Sequence, residues 1–426
     1  MNTSNFIKYA CSNCGICYDK NHYTQYKFNQ NLKKKFSQKE FQKYCPGIGI
    51  DRKKIDINSK SFHSYFGPIN NSYVGFSNLA SQRLSSSSGG IITEVLIFLL
   101  EEKFIDGVLI PFPINDIELI HQYKICTYKD IDKIRKYAQS IYKKIPAYNF
   151  KKLVNNFQGK LCFVGLPDQI AAARALCKEN YQLCKKIKYF VGPMVGILME
   201  DGALDFIPKF ANTTEKIKKI RWRHGEWPGN LMVKFKSKKI EIKKFYYNFL
   251  LPFYCSNESL FSDDFYNELA DISVGDAWSP EYEKAGKGWS LVLAKSNRGE
   301  EILLKMKRKK VIFLKKIKFL KALRMHEHMI DFKKRGSKYR KKFLSFFGIN
   351  TPNHYNFKIK YFVNRYFIEF IILITITFCK TKIARWLMSK CNYVLLGKIF
   401  SFLRVNWKKI TKETKRKGLY DNIKSN

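Results

Sequence analysis

Cys11-Ser12-Asn13-Cys14-Gly15-Ile16-Cys17 is the stretch around which this chain is organised. It places three thiols within seven residues, and a fourth, Cys45, stands far downstream directly before a proline. A C-x2-C-x2-C run completed by a cysteine before proline is typical of chains that hold a 4Fe-4S cluster. The sequence therefore predicts four metal ligands: Cys11, Cys14, Cys17 and Cys45.

A bacterial ferredoxin carries two such ligand sets, and here the second set is absent. The positions where its ligands would stand hold Asn21, Lys35, Gln38 and Phe41. We therefore expect one cluster on a half-ferredoxin module of α+β type at residues 1–60. A structural zinc site is the alternative, because zinc is also held by four thiolates, although its ligands usually form two separated C-x2-C pairs.

Length and charge limit the remaining possibilities. A chain of 426 residues has room for two or three domains. The net charge of +43 would ordinarily indicate nucleic acid or an anionic membrane, but the 63 lysines and 15 arginines are spread along the chain without a nucleic-acid motif. We expect no nucleic-acid partner. Scattered single cysteines and the lack of a signal peptide before Cys11 predict a reducing, cytoplasmic compartment.

Residues 61–305 alternate strand-like and helical patterns, which predicts an α/β core with a mostly parallel or mixed sheet. Within it, the loop at 85–90 is built of serine and glycine and opens into an apolar helix. Backbone N–H groups at a helix N-terminus favour a phosphate there, and an ordinary helix cap is the alternative. The turn at 165–169 follows a strand, which is the usual place for ligands in such sheets, although Asp168 would also suit a helix cap.

Two later stretches carry candidate site residues. The run Arg221-Trp222-Arg223-His224-Gly225-Glu226-Trp227-Pro228-Gly229 combines aromatic faces with cations that could stack a ring and clamp its anionic groups. A surface turn stabilised by tryptophan packing is the alternative. Asp271 and Asp276 lie near the ends of a strand, where aspartates bind ligands or cap turns.

The order of these motifs resembles the coenzyme F-420 hydrogenase and dehydrogenase beta-subunit family, over about residues 8–305. The series runs CxxCGxC, CPG, a serine-rich SGG helix, GLPxQI, RWRxGxWPG and NELADISVGDAW. The family includes bacterial homologues found with cell-surface polysaccharide genes. The resemblance implies an enzyme, a flavin-dependent oxidoreductase that passes electrons between a 4Fe-4S cluster, FAD and an organic substrate. It further implies a ferredoxin-type or other redox partner and a small-molecule or glycan-related substrate.

The resemblance also implies roles for individual residues. It suggests that Ser87, Ser88, Gly89, Gly90 and Thr93 hold the cofactor phosphates, and that Lys136, Arg221, Arg223 and Asp276 lie near the flavin or the substrate. From the turn after the strand we add Gly165 and Gln169, with Arg221, to the cofactor-binding residues. From the run at 221–229 we add His224 to the catalytic candidates Lys136, Arg223 and Asp276.

The chain departs from the family at cysteines that relatives commonly carry. It has Asp168 in the GLPxQ turn, and Ser259 and Ser262 before the ADI-x-x-GD strand. Oxygen ligands are poor replacements for thiolate on an iron-sulfur cluster, so a second cluster is not expected. A non-catalytic electron relay, or a scaffold in a glycan-synthesis complex, is therefore the alternative function.

Residues 306–426 lie beyond the resemblance, and we predict a helical, basic C-terminal region. Its apolar segment, 366–379, has only fourteen residues and contains Glu369. Because a spanning helix needs about 20 apolar residues, we expect either a buried helix or one lying on a membrane surface between flanking lysines. The second option predicts peripheral membrane contact through this region.

Overall fold

The computed structural model describes residues 10–18, 39–114, 117–243, 250–284, 286–349, 351 and 363–410. Its strands, in chain order, are β1 (Ser61–His63), β2 (Gly67–Ile69), β3 (Asn71–Ser77), β4 (Gly107–Ile114), β5 (Ile117–Cys126), β6 (Leu161–Val164), β7 (Ile187–Pro193), β8 (Lys219–His224), β9 (Asn230–Lys234), β10 (Lys239–Ile242), β11 (Ile272–Asp276), β12 (Ser290–Ala294) and β13 (Ile312–Ile317).

The α-helices are α1 (Lys39–Tyr44), α2 (Ala80–Ser85), α3 (Ile91–Glu101), α4 (Ile131–Tyr137), α5 (Phe150–Asn156), α6 (Pro167–Glu179), α7 (Tyr181–Lys186), α8 (Gly202–Phe210), α9 (Leu250–Tyr254), α10 (Asn257–Phe261), α11 (Pro280–Glu283), α12 (Asn297–Arg308), α13 (Phe319–Arg324), α14 (Glu327–Ile330), α15 (Ser337–Phe346), α16 (Val363–Cys379), α17 (Lys382–Lys390) and α18 (Tyr393–Ile410). A π-helix covers Asp331–Gly336.

The main sheet runs β13-β3-β12-β11-β7-β6-β4-β5. Its centre, from β11 to β4, is parallel, whereas β5 on one side and β12, β3 and β13 on the other pair antiparallel. The prediction of an α/β core with a large mixed sheet is confirmed. Because parallel strands end at the same edge, the segments after β6, β7 and β11 lie side by side.

Side chains alternate between the two faces of this sheet, as the two-residue period of a strand requires. On one face Leu109 and Phe163 pack with α5 and α6, and on the other Val108 and Cys162 pack with α3 and α12. Both faces are therefore covered, which is why the central strands are largely apolar. A second sheet, β10-β9-β8, is antiparallel and packs against α8 and α9.

The amino-terminal segment joins the first of these cores. Ile16 and Tyr18 are buried in the cluster that contains α6. Within residues 10–18 and 39–60 the structure has α1 and a short 3-10 helix at Arg52–Lys54, but no strand. Asn21, Lys35 and Gln38, at three of the expected second-cluster positions, lie outside the described residues, so the half-ferredoxin arrangement stays a prediction.

The prediction of a helical C-terminal region is confirmed except for one stretch near its start. Residues 312–317 form β13, which pairs with β3 at the edge of the main sheet. Its Ile312 and Leu314 are buried and its Lys315 and Lys316 are exposed, a pattern suited to an edge strand protected by charge. The rest of the described region is helical. None of its helices, nor any other in the described part of the chain, is long and apolar enough to cross a bilayer.

A buried carboxylate joins α12 to the start of the main sheet. Glu300 accepts hydrogen bonds from Lys60 (2.7 Å), the Tyr73 hydroxyl (2.8 Å), Asn70 (3.2 Å) and Asn71. Burial alone would raise the pKa of Glu300, but these hydrogen bonds outweigh burial and lower the pKa to about 2. The ionised carboxylate therefore stabilises the fold.

We expect Glu300→Gln to lower the free energy of unfolding near pH 7, because the donors then face a neutral amide. Since the folded pKa lies below the ordinary value of 4.5, this stabilisation is complete above pH 4.5 and is lost as the pH falls through about 2. Urea unfolding across that range should show the difference between variant and wild type shrinking with falling pH. Glu301→Gln, on an exposed ion pair with Lys305, is the matched control. A difference that stays constant down to about pH 2 would contradict the prediction.

Candidate functional site

The four predicted ligand cysteines are gathered where the amino-terminal segment meets the α/β core. Cys14 and Cys45 are buried, and Cys11 and Cys17 are partly buried. All four pack against the same apolar cluster. The loop is fixed to the core by its backbone, because the carbonyl of Cys14 accepts a hydrogen bond from Ala147 N–H (2.9 Å).

The thiols are close enough to affect one another's ionisation. Burial raises the pKa of Cys45 well above its usual value, and the neighbouring Cys11, Cys14 and Cys17 raise it further. Burial likewise raises the pKa of Cys11 to about 12. Buried thiols of this kind are inert unless a cation stabilises the thiolate.

The chemistry of the donors therefore suits an iron-sulfur cluster, since four thiols are the soft ligands that such clusters take. The side-chain arrangement does not by itself define a metal site. Within the described ranges, no three or more Cys, His, Asp or Glu side chains form a group that could hold a metal ion. The cluster thus remains a prediction that the gathering of the four thiols supports.

Gln169 ties the cysteine loop to the sheet. It lies in the first turn of α6, directly after β6, and is completely buried. Its Nε2 donates to the carbonyl oxygens of Ile145 (2.7 Å) and Cys14 (3.3 Å), and its Oε1 accepts from the Tyr123 hydroxyl (2.8 Å) and Leu166 N–H (2.9 Å). The structure therefore places this predicted cofactor ligand as a positioning residue for Cys14.

We expect Gln169→Leu to destabilise the protein by about 3 kcal/mol, because the buried carbonyl of Ile145 loses its donor, Leu166 N–H loses its acceptor, and the carbonyl of Cys14 keeps only Ala147 N–H. It should also loosen the Cys14 loop. In metal-free protein, a thiol-specific reagent should first modify the exposed Cys184 and Cys391, and in the variant it should reach the loop cysteines sooner. Gln122→Leu, at an exposed position on β5, is the control. Unchanged stability and thiol reactivity in Gln169→Leu would refute this anchoring role.

Charged side chains occupy the surroundings of the missing family cysteines. Lys144 is buried, forms an ion pair with Glu258 (2.8 Å) and donates to the carbonyl of Ser12. Burial alone would lower the pKa of Lys144, but Glu258 and Asp168 outweigh burial and raise it. The buried Ser259 hydroxyl accepts from Leu198 N–H (3.0 Å). Lys144 could not be singled out from the sequence, because its partner Glu258 is more than a hundred residues away.

The serine-glycine loop lies at the start of α3 and against the start of β12. The Ser88 hydroxyl donates to the carbonyl of Trp289 (2.8 Å), and Gly89 N–H donates to the Ser290 hydroxyl (2.9 Å). Gly90 has a positive φ of 79° and offers no side chain to cap the helix. The first N–H groups of α3, up to Thr93, therefore lack a side-chain cap, which suits an anionic ligand. Most polar groups of the loop itself are bonded within the protein.

The segment after α4 connects this loop to β8. The Ser87 hydroxyl accepts from Ser140 N–H (3.0 Å). Arg221, on β8, donates to the carbonyls of Lys136 (3.0 Å) and Ala138 (3.2 Å). The structure thus brings together three parts of the predicted site that are up to 134 positions apart in the chain.

Arg223 and Asp276 form the best-defined polar pair of the site. Two parallel hydrogen bonds of 3.0 Å join the Arg223 guanidinium to the Asp276 carboxylate, and Trp227 Nε1–H donates to the same carboxylate (2.8 Å). Burial alone would lower the pKa of Arg223, but Asp276 outweighs burial and raises it. Asp276 ends β11 and faces Ser290 across the β11–β12 pair, so this pair lies next to the serine-glycine loop.

Two predicted residues lie apart from that pair. His224 follows Arg223 on β8, is 42% exposed and has Glu241 as its neighbour (3.5 Å). Lys136 is exposed, with its ammonium 5.0 Å from the Tyr137 ring. His326, which we did not place in the site, has Nε2 2.8 Å from the carbonyl of Asp276.

We expect Asp276→Asn to destabilise the protein by about 3–5 kcal/mol, because Arg223 then stays buried without its counter-charge. Chemical unfolding would measure the loss. Glu281→Gln, which breaks an exposed pair with Lys321, should change the free energy of unfolding by less than about 1 kcal/mol. Equal effects of the two substitutions would contradict the importance of the buried pair.

Comparison with known proteins agrees with this architecture. Two family profiles, described as coenzyme F420 hydrogenase/dehydrogenase beta subunit N-term and C terminus, match residues 72–151 and 158–319. Together they cover more than half of the chain and place it among oxidoreductases of the electron-transfer type. The chain belongs to the coenzyme F420 hydrogenase/dehydrogenase beta-subunit family, and the resemblance inferred from its motifs is confirmed.

Two known proteins illustrate the likeness. A coenzyme F420-dependent sulfite reductase from Methanocaldococcus jannaschii is 24% identical over 301 residues, which is 66% of this chain and 42% of that protein. The chain thus spans less than half the length of that relative. A solved chain of the F420-reducing [NiFe] hydrogenase complex from Methanosarcina barkeri superposes with a TM-score of 0.52 at 20% identity, covering 66% of this chain and 96% of that chain. At this identity the likeness shows the fold alone.

Proposed function

We propose that this protein is a flavin-dependent iron-sulfur oxidoreductase that exchanges electrons with a redox partner and acts on an organic substrate. A 4Fe-4S cluster held by Cys11, Cys14, Cys17 and Cys45 would supply one-electron transfer, and FAD would couple it to two-electron chemistry. The substrate we favour is small and glycan-related, with a role in surface polysaccharide synthesis.

One observation carries the proposal: the cysteine loop and the Arg223–Asp276 pair lie at the same edge of one sheet. Gln169 holds Cys14 at the turn after β6, while Asp276 ends β11. The strand between them, β7, is parallel to both. Electron donor and acceptor groups bound at these two places would be neighbours, as electron transfer requires.

The protein's own residues would position and polarise the bound groups. The uncapped start of α3 and Thr93 suit the phosphates of a dinucleotide. Arg221 is fixed by two backbone carbonyls close to that loop, where its charge favours an anionic group. Arg223 and Trp227 hold the Asp276 carboxylate in one orientation.

A second candidate function is a relay or scaffold that binds a cluster without catalysing a reaction. It is favoured by the internal hydrogen bonds of Ser88 and Gly89, which occupy groups that a cofactor would otherwise use. It is also favoured by the charged groups near Asp168. The Lys144–Glu258 ion pair lies there, in the region where relatives commonly carry cysteines.

Anaerobic reconstitution with iron and sulfide, followed by absorbance, metal and flavin assays, tests the proposal. We expect about four irons and four sulfides per chain, broad absorbance near roughly 400 nm, and bound FAD. Cys14→Ser should lose the iron, whereas Cys177→Ser, at a buried cysteine elsewhere on α6, should keep it. Arg221→Met should lower FAD content while leaving the iron unchanged.

The assays separate the alternatives. Zinc without sulfide would refute the cluster. A full iron content with no bound flavin, even after addition of FAD, would favour the relay. Equal iron loss in Cys14→Ser and Cys177→Ser would mean that the effect reports folding and not ligation.

A further inference from the structure

The polarity of helix α16 is inverted. A helix at the surface of a soluble protein ordinarily turns its apolar stripe inward and its charges outward. In α16 the charged side chains are buried, Arg365 at 6% and Glu369 at 0% exposure. The exposed side chains include Phe367 (66%), Phe370 (41%) and Phe378 (57%).

These exposed residues form one stripe. They are Val363, Phe367, Phe370, Ile371, Ile374 and Phe378. With 3.6 residues per turn, they fall within about 100° of the helix circumference. Arg365, Glu369 and Ile376 lie on the opposite side and face the protein. An apolar stripe of this length on a water-exposed surface indicates a surface that is covered in use.

The next two helices repeat the pattern. On α17 the exposed apolar side chains are Ile383, Trp386 and Leu387, which again share a face. On α18 they include Leu395, Ile399, Phe402 and Leu403. Three consecutive helices therefore present apolar side chains outward.

The charged residues of the segment 380–410 have one sign. Residues 380–410 contain eight lysines and arginines and no aspartate or glutamate. A row of cations bordering an apolar face, with a tryptophan between them, is the composition of helices that lie in the interface of an anionic bilayer. An apolar protein partner would not require this excess of cations.

A basic cavity opens beside the apolar face. It has a volume of about 280 Å³ and is lined by Lys209, Tyr254, Lys382, Arg385, Trp386 and Ser389. Arg385 is held by Glu200 (3.1 Å) and by the carbonyl of Phe253. Within the described part of the chain, the side chains of Lys209 and Lys382 form neither an ion pair nor a hydrogen bond. The cavity thus offers two cations and a hydroxyl next to Trp386.

We propose that the outward face of α16, α17 and α18 docks on an anionic phospholipid bilayer, with a lipid phosphate entering the cavity between Lys209 and Lys382. None of these helices is long and apolar enough to cross the bilayer, so they would lie in its interface. The docking surface is separate from the candidate redox site.

Vesicle flotation tests the docking with the full chain. The vesicles are phosphatidylcholine alone, or phosphatidylcholine with about 30% phosphatidylglycerol, at low and high salt. We expect binding to the anionic vesicles, at least about tenfold weaker binding to phosphatidylcholine alone, and weakening by salt.

Two pairs of substitutions test the two parts of the surface. Phe367→Glu with Ile374→Glu should weaken binding about tenfold or more, and Ile120→Glu with Leu320→Glu, at exposed positions on the core, should not. Lys209→Glu with Lys382→Glu should weaken binding more than the charge-matched Lys178→Glu with Lys185→Glu. All these side chains are exposed, so circular dichroism and thermal unfolding should show intact folds.

Several results would overturn the proposal. Wild-type protein that stays with the soluble fraction beside anionic vesicles would exclude docking. Equal binding by wild type and the Phe367→Glu/Ile374→Glu variant would exclude the apolar face. Equal weakening by both lysine pairs would exclude the cavity as the phosphate site. A vesicle-free dimer that the glutamate pair abolishes, without flotation of the wild type, would assign the face to a second copy of this chain.

Discussion

The side-chain amide of Gln169 is the contact on which the candidate site depends. The described cysteine loop has almost no regular structure, so its position must come from hydrogen bonds to something rigid. Gln169 provides this, because it sits in the first turn of a helix that follows a central parallel strand, and it is buried with both ends of its amide bonded. The loop is therefore held in place by its hydrogen bond to an element of the rigid sheet region. An apolar substitute for this buried amide would be destabilising, since it leaves the carbonyl of Ile145 without a donor and Leu166 N–H without an acceptor.

The C-terminal helices are attached to the core through buried ion pairs. Arg340 pairs with Glu369, and Arg365 bridges Glu369 and Asp331, all of them buried. Buried ion pairs add little net stability relative to an apolar contact, but they are demanding in geometry. Because part of the inner side of α16 is occupied by these charges, its phenylalanines Phe367, Phe370 and Phe378 lie on the outer side. The inverted polarity of the helix is therefore a consequence of how it is fastened to the core.

Sequence reasoning could name candidate residues that belong to motifs, and missed residues whose contacts are distant in the chain. The cysteines could be named because their spacing is characteristic, and Arg223 and Asp276 because they lie in motifs that resemble those of the family. His224 was placed with them by proximity in the chain, yet neighbouring residues of a strand point to opposite sides. β13 was included in the predicted helical region because the stretch is basic, whereas Lys315 and Lys316 are exposed residues of an edge strand. Lys144 could not be found, since burial beside Glu258 is a property of the fold alone.

The two surfaces of the molecule are linked by a short chain of contacts. Lys380, between α16 and α17, donates to the carbonyl of Cys255 (2.8 Å) and to Asn257 (2.7 Å). Glu258 follows in the same helix, pairs with Lys144, and Lys144 in turn holds the backbone of Ser12. A protein resting on a bilayer through its last helices would therefore hold the cysteine loop in a fixed orientation to that surface. The direction from which a redox partner reaches the cysteine loop would then be set by the fold and not by free rotation.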